Sequence, residues 1–219
     1  MARVLLTSGP TRQYLDPVRY LTNASSGRMG VALAQAILAA GHDVHIISGP
    51  VALEYPAAAK VSSVVTTDEM LDAATAAFPH CDIAIGAAAP CDYRPRHLHT
   101  QKISKTGNVL PVELVETPDV VATLGQQKRP GQWVVGFALE TEDRRFRAIV
   151  KLEKKHCDLI VSNGPAAIDS DHNAIEVLDP AGKVLLAAEG TKTRLAVELI
   201  QLIEARFFST LQADPSGVS

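Results

Sequence analysis

Eight consecutive residues, Asn23-Ala24-Ser25-Ser26-Gly27-Arg28-Met29-Gly30, carry the clearest chemical signal in the chain and open a predicted helix. Two hydroxyls, two glycines and a run of backbone N–H groups at a helix start make an anion-binding site. Gly27 lets the backbone approach a phosphate, and Gly30 lets the helix pack against the preceding strand. The same residues also fit a plain helix cap in which Ser25 or Ser26 closes the first turn. No lysine follows in Walker fashion, so a P-loop NTPase does not fit. Asn23 can donate and accept at once, which suits a carbonyl or phosphate, or it can serve a turn. Arg19 could grip a phosphate with two parallel bonds, or form a surface ion pair.

Other side chains are more ambiguous by type. Lys102 reads as a solvated surface lysine unless something brings an anion to it. Lys151 and Lys155 are four apart and share one helix face, either an exposed basic face or one that reaches a ligand. Asp92 has no evident carboxylate partner, so it suits accepting from hydroxyls or an exocyclic amine better than acid–base work. Phe137 packs either in the core or on a base or sugar. Cys81, Cys91 and Cys157 form no CxxC pair, and no histidine is arranged to activate Cys91 as a nucleophile. His97 and His99 lack a third partner at metal-ligand spacing, so no metal-binding residues are read.

Short β-branched runs alternate with Ala/Leu-rich periodic segments and supply the frame for these residues. Strands are expected at Val4 to Thr7, Val44 to Ser48, Val61 to Val65, Asp82 to Ala88, Trp133 to Ala138 and Asp158 to Ser162. Helices are expected over Met29 to Ala40, Asp68 to Phe78 with Thr67 as cap, from Thr117-Pro118, over Glu142 to Lys155, and after Thr191. Ala174 to Leu178 and Val184 to Ala188 flank Asp179-Pro180-Ala181-Gly182, which predicts an antiparallel hairpin. The fold class is therefore α/β: a Rossmann-like, mostly parallel sheet with helices on both faces, plus a C-terminal antiparallel hairpin. Gly9 to Arg28 and Ala89 to Asn108, each twenty residues long, break the alternation and lack a periodic pattern. Both follow strands and so belong at the carboxyl edge of the sheet, where ligands bind in this architecture. The second is read as a long flap loop.

The totals exclude several classes. Across 219 residues, 47% are apolar and 21% charged, with a net charge of −3, which gives no footprint for nucleic acid or an anionic membrane. Sparse, odd cysteines fit a reducing compartment. No segment reads as a signal peptide or a membrane span, so a cytoplasmic protein is expected. The domain is placed over residues 1–209, and 210–219 are read as a disordered tail.

Asp16 to Gly30 as a whole resembles the opening motif of the phosphopantothenoylcysteine synthetase family. The resemblance continues, in family order, through Ala87-Ala88-Ala89-Pro90-Cys91-Asp92-Tyr93-Arg94-Pro95, Lys102-Ile103-Ser104-Lys105, Thr117-Pro118-Asp119-Val120-Val121 and Gly136-Phe137-Ala138-Leu139-Glu140-Thr141. It ends with Lys151 to Lys155, Asp158 to Asn163, and Ser170-Asp171-His172-Asn173-Ala174. It implies a ligase of coenzyme A biosynthesis joining 4′-phosphopantothenate to L-cysteine. CTP would activate the carboxylate as an acyl-cytidylate, and CMP and pyrophosphate would be released. Mg2+ would arrive with the triphosphate. A homodimer is implied, with the flap near the partner's site, and so is a synthetase region without a flavin domain on this chain.

By the same resemblance, Asn23 serves phosphopantothenate and the acyl-cytidylate step, and Lys102 is the cation on the nucleotide phosphate; these two are the catalytic pair. Arg19 and Ala89 join Asn23 on the substrate. Ser25, Gly27, Gly30, Gly86, Ala87, Ala88, Asp92, Pro118, Asp119, Val120, Val121, Phe137, Lys151, Lys155 and Asn163 face the nucleotide. Pro90, Cys91, Ser104 and Gly164 depart from the family pattern. The rivals are an NAD(P)-dependent oxidoreductase and a non-catalytic nucleotide-binding module. Against the first, Ile46-Ile47-Ser48-Gly49 offers no acidic residue for a ribose, and a Tyr-x-x-x-Lys pair is missing. Retained Asn23, Asp92 and Lys102 argue against the second.

Overall fold

The computed structural model describes residues 1–140, 142–164 and 170–213, with side chains as far as Phe208. The chain begins with β1 (Arg3–Ser8), a small ribbon of β2 (Arg12–Tyr14) and β3 (Tyr20–Thr22), α1 (Arg28–Ala39), β4 (Asp43–Ser48) and β5 (Lys60–Ser63). Next come α2 (Thr67–Ala77), β6 (Ile83–Gly86), β7 (Tyr93–Pro95), β8 (Leu114–Glu116), α3 (Val120–Gln127) and β9 (Trp133–Leu139). The last part holds α4 (Arg144–Lys154), β10 (Leu159–Asn163), β11 (His172–Leu178), β12 (Val184–Thr191) and α5 (Lys192–Ala213).

Eight strands form one sheet in the order β12-β11-β10-β9-β6-β1-β4-β5. The six from β10 to β5 are parallel, whereas β11 and β12 run antiparallel. The parallel strands other than the exposed edge strand β5 are buried along most of their length because helices cover both faces. One face packs α1 and α5 through Leu33, Ile37, Leu195, Leu199 and Ile203. The other packs α2, α3 and α4 through Met70, Ala74, Leu124, Ala148 and Leu152. From β1 the chain goes out to β4 and β5, then returns to place β6 on β1's other side. The switch point, and the crevice it opens, lies between the ends of β1 and β6.

The expected strands and helices are all present, with three local corrections. The N-cap of α2 is Thr66, which forms a capping box with Glu69; the hydroxyl of Thr67, expected to cap, instead meets Thr11 and Cys91. The N-cap of α3 is Asp119, whose carboxylate accepts from the N–H of Ala122; Thr117 donates its hydroxyl to the Cys91 carbonyl. The first patternless segment contains the antiparallel ribbon β2–β3, and the second contains β7, which pairs with β8 beyond the segment's end. Residues 210–213, assigned to the tail, lie in α5. Thr141 and residues 214–219 lie outside the described residues.

Candidate active site

A cleft with two lobes opens beyond the carboxyl ends of β1, β6, β9 and β10. The first lobe, about 470 Å³, takes in residues 23–30, Ala87 to Ala89, Lys151 and Asn163. The second, about 330 Å³, takes in Gly86, residues 116–121 and Lys155. Ala88, Asp92 and Phe137 line both, so they form the wall through which the lobes communicate.

The first lobe is built for an anion. Gly27 is the N-cap of α1 at φ 78°, a left-handed conformation that a side chain resists, and no side chain caps the helix. Ser25 and Ser26 therefore line the lobe rather than closing the first turn, and the helix presents its open N–H end and positive dipole there. Gly30 is required by proximity: a Cβ would stand 1.8 Å from Ser8 Oγ. Small residues at this turn let α1 start directly against the end of β1.

The cations are held in place by carboxylates. Lys151 Nζ lies 2.6 Å from Glu140, whose side chain is only 6% exposed. Lys155 Nζ lies 3.0 Å from Asp119. The expected helix stops at Lys154 with Lys155 as its C-cap, and Lys151 enters the first lobe while Lys155 enters the second.

The wall is fixed by its backbone. The N–H groups of Ala87 and Ala89 donate to the carbonyls of Thr7 and Gly9 at 3.1 and 2.9 Å. Asn23 Nδ2 donates to Pro90 O at 2.8 Å and Ala89 O at 3.3 Å, which ties the anion loop to the β6 loop. The Cys91 N–H donates to Thr11 Oγ1 at 2.8 Å, and its carbonyl accepts from Thr67 and Thr117. Burial pushes the Cys91 thiol above its ordinary value, with a hydrogen bond to Thr11 pulling the other way. The thiol is accordingly no activated nucleophile. Asp92, next in sequence, projects from this braced turn into both lobes.

Two expected site residues are not brought to the cleft. Lys102 is exposed and lines neither lobe. The guanidinium of Arg19 bonds Asp16 at 2.9 Å and the carbonyl of Ile103 at 3.0 Å, so within this chain Arg19 anchors the flap rather than facing the cavity. Burial raises the Asp16 carboxyl, but the N–H groups of Val18, Ile103 and Arg19 and the Arg19 charge outweigh it and hold the group below the usual carboxylate range. The remaining residues read as substrate- or nucleotide-facing line one lobe or both. Glu140, Arg28, Asn173 and Lys192 also reach the first lobe or its lysine. Asn173 lies in the last stretch that carries the family resemblance, whereas nothing in the local sequence marks Lys192, which opens α5 after the hairpin.

Residues 1–207 match the family model described as the DNA/pantothenate metabolism flavoprotein C-terminal domain. The chain belongs to this family. It is 40% identical over 207 residues to the coenzyme A biosynthesis bifunctional protein CoaBC of Vibrio vulnificus, covering 92% of this chain and 51% of that protein. The chain thus spans about half the length of the curated relatives it matches. In fold the family member superposes on a crystal structure of the C-terminal domain of a CoaBC protein, with TM-score 0.82 and 33% identity, covering 95% of this chain and 96% of that one. It also shares its fold with a Cab2 H337A mutant in complex with phosphopantothenate-cysteine, with TM-score 0.82 and 16% identity, covering 98% and 89% of the two chains.

Proposed function

We propose that this chain is a phosphopantothenate–cysteine ligase that uses CTP. The observation that carries the reading is the two-lobed cleft, in which an uncapped helix start, Asn23, Asp92, Phe137 and two braced lysines converge. The substrate carboxylate oxygen attacks the α-phosphorus of CTP; the bond to the bridging oxygen breaks and pyrophosphate leaves. The amino group of cysteine then attacks the acyl carbon of the acyl-cytidylate, CMP leaves with the former carboxylate oxygen, and the nitrogen loses a proton. Neither half requires a protein nucleophile. Both require two polyanions to be held in line and charge on phosphate oxygens to be met by preorganised donors.

The residues divide that task. The second lobe, with Phe137 for stacking and the Asp119–Val121 helix start, takes the cytidine, and Asp92 accepts from its hydroxyls or exocyclic amine. The first lobe takes the phosphates on Ser25, the Gly27 turn and Lys151. Asn23 holds the wall against which the acyl carbon must lie. Asp92 is the carboxylate that lines both lobes, a donor set suited to Mg2+ carried in on the triphosphate and still ligated mainly by phosphate and water. That ion would neutralise phosphate charge.

Lys102 sits beside Ile103, whose backbone Asp16 and Arg19 grip, so we assign it to a flap that covers a cleft of a homodimer. Directly after the flap, Val109, 92% exposed, and the half-exposed Leu110, Val112 and Leu114 offer an apolar surface for the partner. Among the described residues no helix is long and apolar enough to cross a membrane, and a cytoplasmic site of action is part of the reading. An oxidoreductase is disfavoured by the end of β4, where Tyr55 bonds both Ser48 and Ser8 and Ile46-Ile47-Ser48-Gly49 carries no carboxylate for a ribose.

Pyrophosphate release decides the matter. With CTP and phosphopantothenate the protein should release pyrophosphate, and adding cysteine should yield CMP and the amide. Replacing Asn23 should impair amide formation, and replacing Lys102 the activation step. No pyrophosphate with either CTP or ATP, or near wild-type turnover in both variants, would refute the assignment.

A further inference from the structure

The C-terminal hairpin is appended antiparallel to the sheet, and this has a chemical consequence. Because β11 runs opposite to β10, the start of β11 and the end of β12 lie at the same rim as the ends of the parallel strands. Asn173 and Lys192 stand there. Asn173 pairs with Gly190 across the hairpin, and the Lys192 N–H donates to the Asp171 carbonyl at 2.9 Å. Both side chains line the first lobe although they are only 7% and 9% exposed. Asn173 Oδ1 accepts from the Ala174 N–H at 2.8 Å, which fixes the amide so that Nδ2 is the remaining end. That Nδ2 is buried and has no hydrogen-bond partner among the described residues. A buried amide donor left unpaired is costly and calls for an explanation, and an acceptor supplied by a ligand provides one. Arg28, from the anion turn, also borders the lobe and pairs with Asp171 at 3.3 Å.

We propose that Asn173 and Lys192 are the docking pole for the β- and γ-phosphates of the nucleoside triphosphate, the group that departs as pyrophosphate. The inference rests on the ligase reading and extends it: the hairpin, which looks like an edge extension of the sheet, supplies the far end of the nucleotide site. Phosphate oxygens accept from Asn173 Nδ2 and Lys192 Nζ while the open end of α1 serves the other side of the same anion. A monophosphate nucleotide would not reach the pole, so these two residues separate substrate from product.

The test is direct binding of CTP, CMP and inorganic pyrophosphate to the full chain and to the Asn173→Asp and Lys192→Gln variants. Asn173→Asp keeps the acceptor for Ala174 and replaces the unpaired donor with an anion, so folding should survive; thermal unfolding checks this for both. The pole predicts CTP and pyrophosphate binding weakened on the order of tenfold or more, with CMP unchanged to within about twofold. Equal losses for CTP and CMP, or pyrophosphate binding indifferent to both variants, would overturn it, as would a wild-type protein that binds no pyrophosphate. Pyrophosphate binding that depends on these residues in a protein unable to bind CTP would uphold the pole and sink the ligase reading instead.

Discussion

Thr11 is fully buried and its hydroxyl is the keystone of the wall between the lobes. It accepts from the Cys91 N–H at 2.8 Å and meets Thr67 Oγ1 at 2.9 Å, and Thr67 in turn donates to the Cys91 carbonyl. Since Thr67 spends its proton on that carbonyl, Thr11 donates to Thr67. Thr11→Val keeps the shape but strands the Cys91 N–H and removes the donor to Thr67. The expected cost is about 1–3 kcal/mol in urea unfolding, with Thr11→Ser restoring most of it. Asp92 sits next to the disturbed turn, so nucleotide affinity should fall with stability. A Thr11→Val protein as stable as wild type would show that the network is incidental. At this scale the sequence was readable where chemistry is local: Asn23, Ser25, Gly27 and Gly30 lie within eight residues. Thr11 was not readable, because its partner lies 80 positions away and a threonine carries no mark of burial. Arg19 left two readings open, a phosphate clamp or an ion pair, and within this chain its guanidinium bonds Asp16 and the Ile103 carbonyl.

Among the elements, the buried carboxylate of Asp16 joins the flap to the loop that precedes α1, beside the Arg19–Ile103 and His99–Leu15 bonds. Asp16 accepts from the Ile103 N–H at 3.1 Å and from Val18 and Arg19. Its folded pKa is lowered, so it contributes stability that is present above the unfolded value of about 3.9 and lost as pH falls through the lower folded value. The Ile103 amide should therefore keep its protection from hydrogen exchange at pH 5, after correction for intrinsic rate, and lose it only in stronger acid. Asp16→Asn should lower that protection at both pH values. Protection that already fades between pH 7 and 5 would mean that another group holds the flap. The long parallel strands and the helices were legible from periodicity, whereas the ribbons β2–β3 and β7–β8 were not. Strands of three residues hold too little alternation to register, and only their pairing defines them. The cap of α2 moved by one residue because Thr66 and Thr67 are alike in type and only Thr66 has Glu69 at the capping-box spacing.

For the whole molecule, the net charge of −3 conflicts with a site for two polyanions, and the conflict is resolved locally. Lys151, Arg28 and Lys192 border the first lobe and Lys154 and Lys155 the second, so cations are gathered at one rim of a negative protein. Several of them are already paired, Lys151 with Glu140, Lys155 with Asp119 and Arg28 with Asp171. An arriving phosphate therefore competes with carboxylates already in place. The attraction at long range is modest, and selectivity comes from geometry at short range. Two consequences can be measured together. CTP affinity should fall by roughly three- to tenfold between about 0.05 and 0.5 M NaCl, because exposed charges are screened over about 10 Å at 0.1 M salt. CMP, with less charge to place in the first lobe, should lose less over the same range. Lys151→Met should flatten the CTP curve toward that of CMP, whereas Lys155→Met, in the other lobe, should weaken both nucleotides alike. Identical salt slopes for CTP and CMP in the wild type would mean that the phosphate chain does not lie among these cations, and the division of labour between the two lobes would have to be reversed.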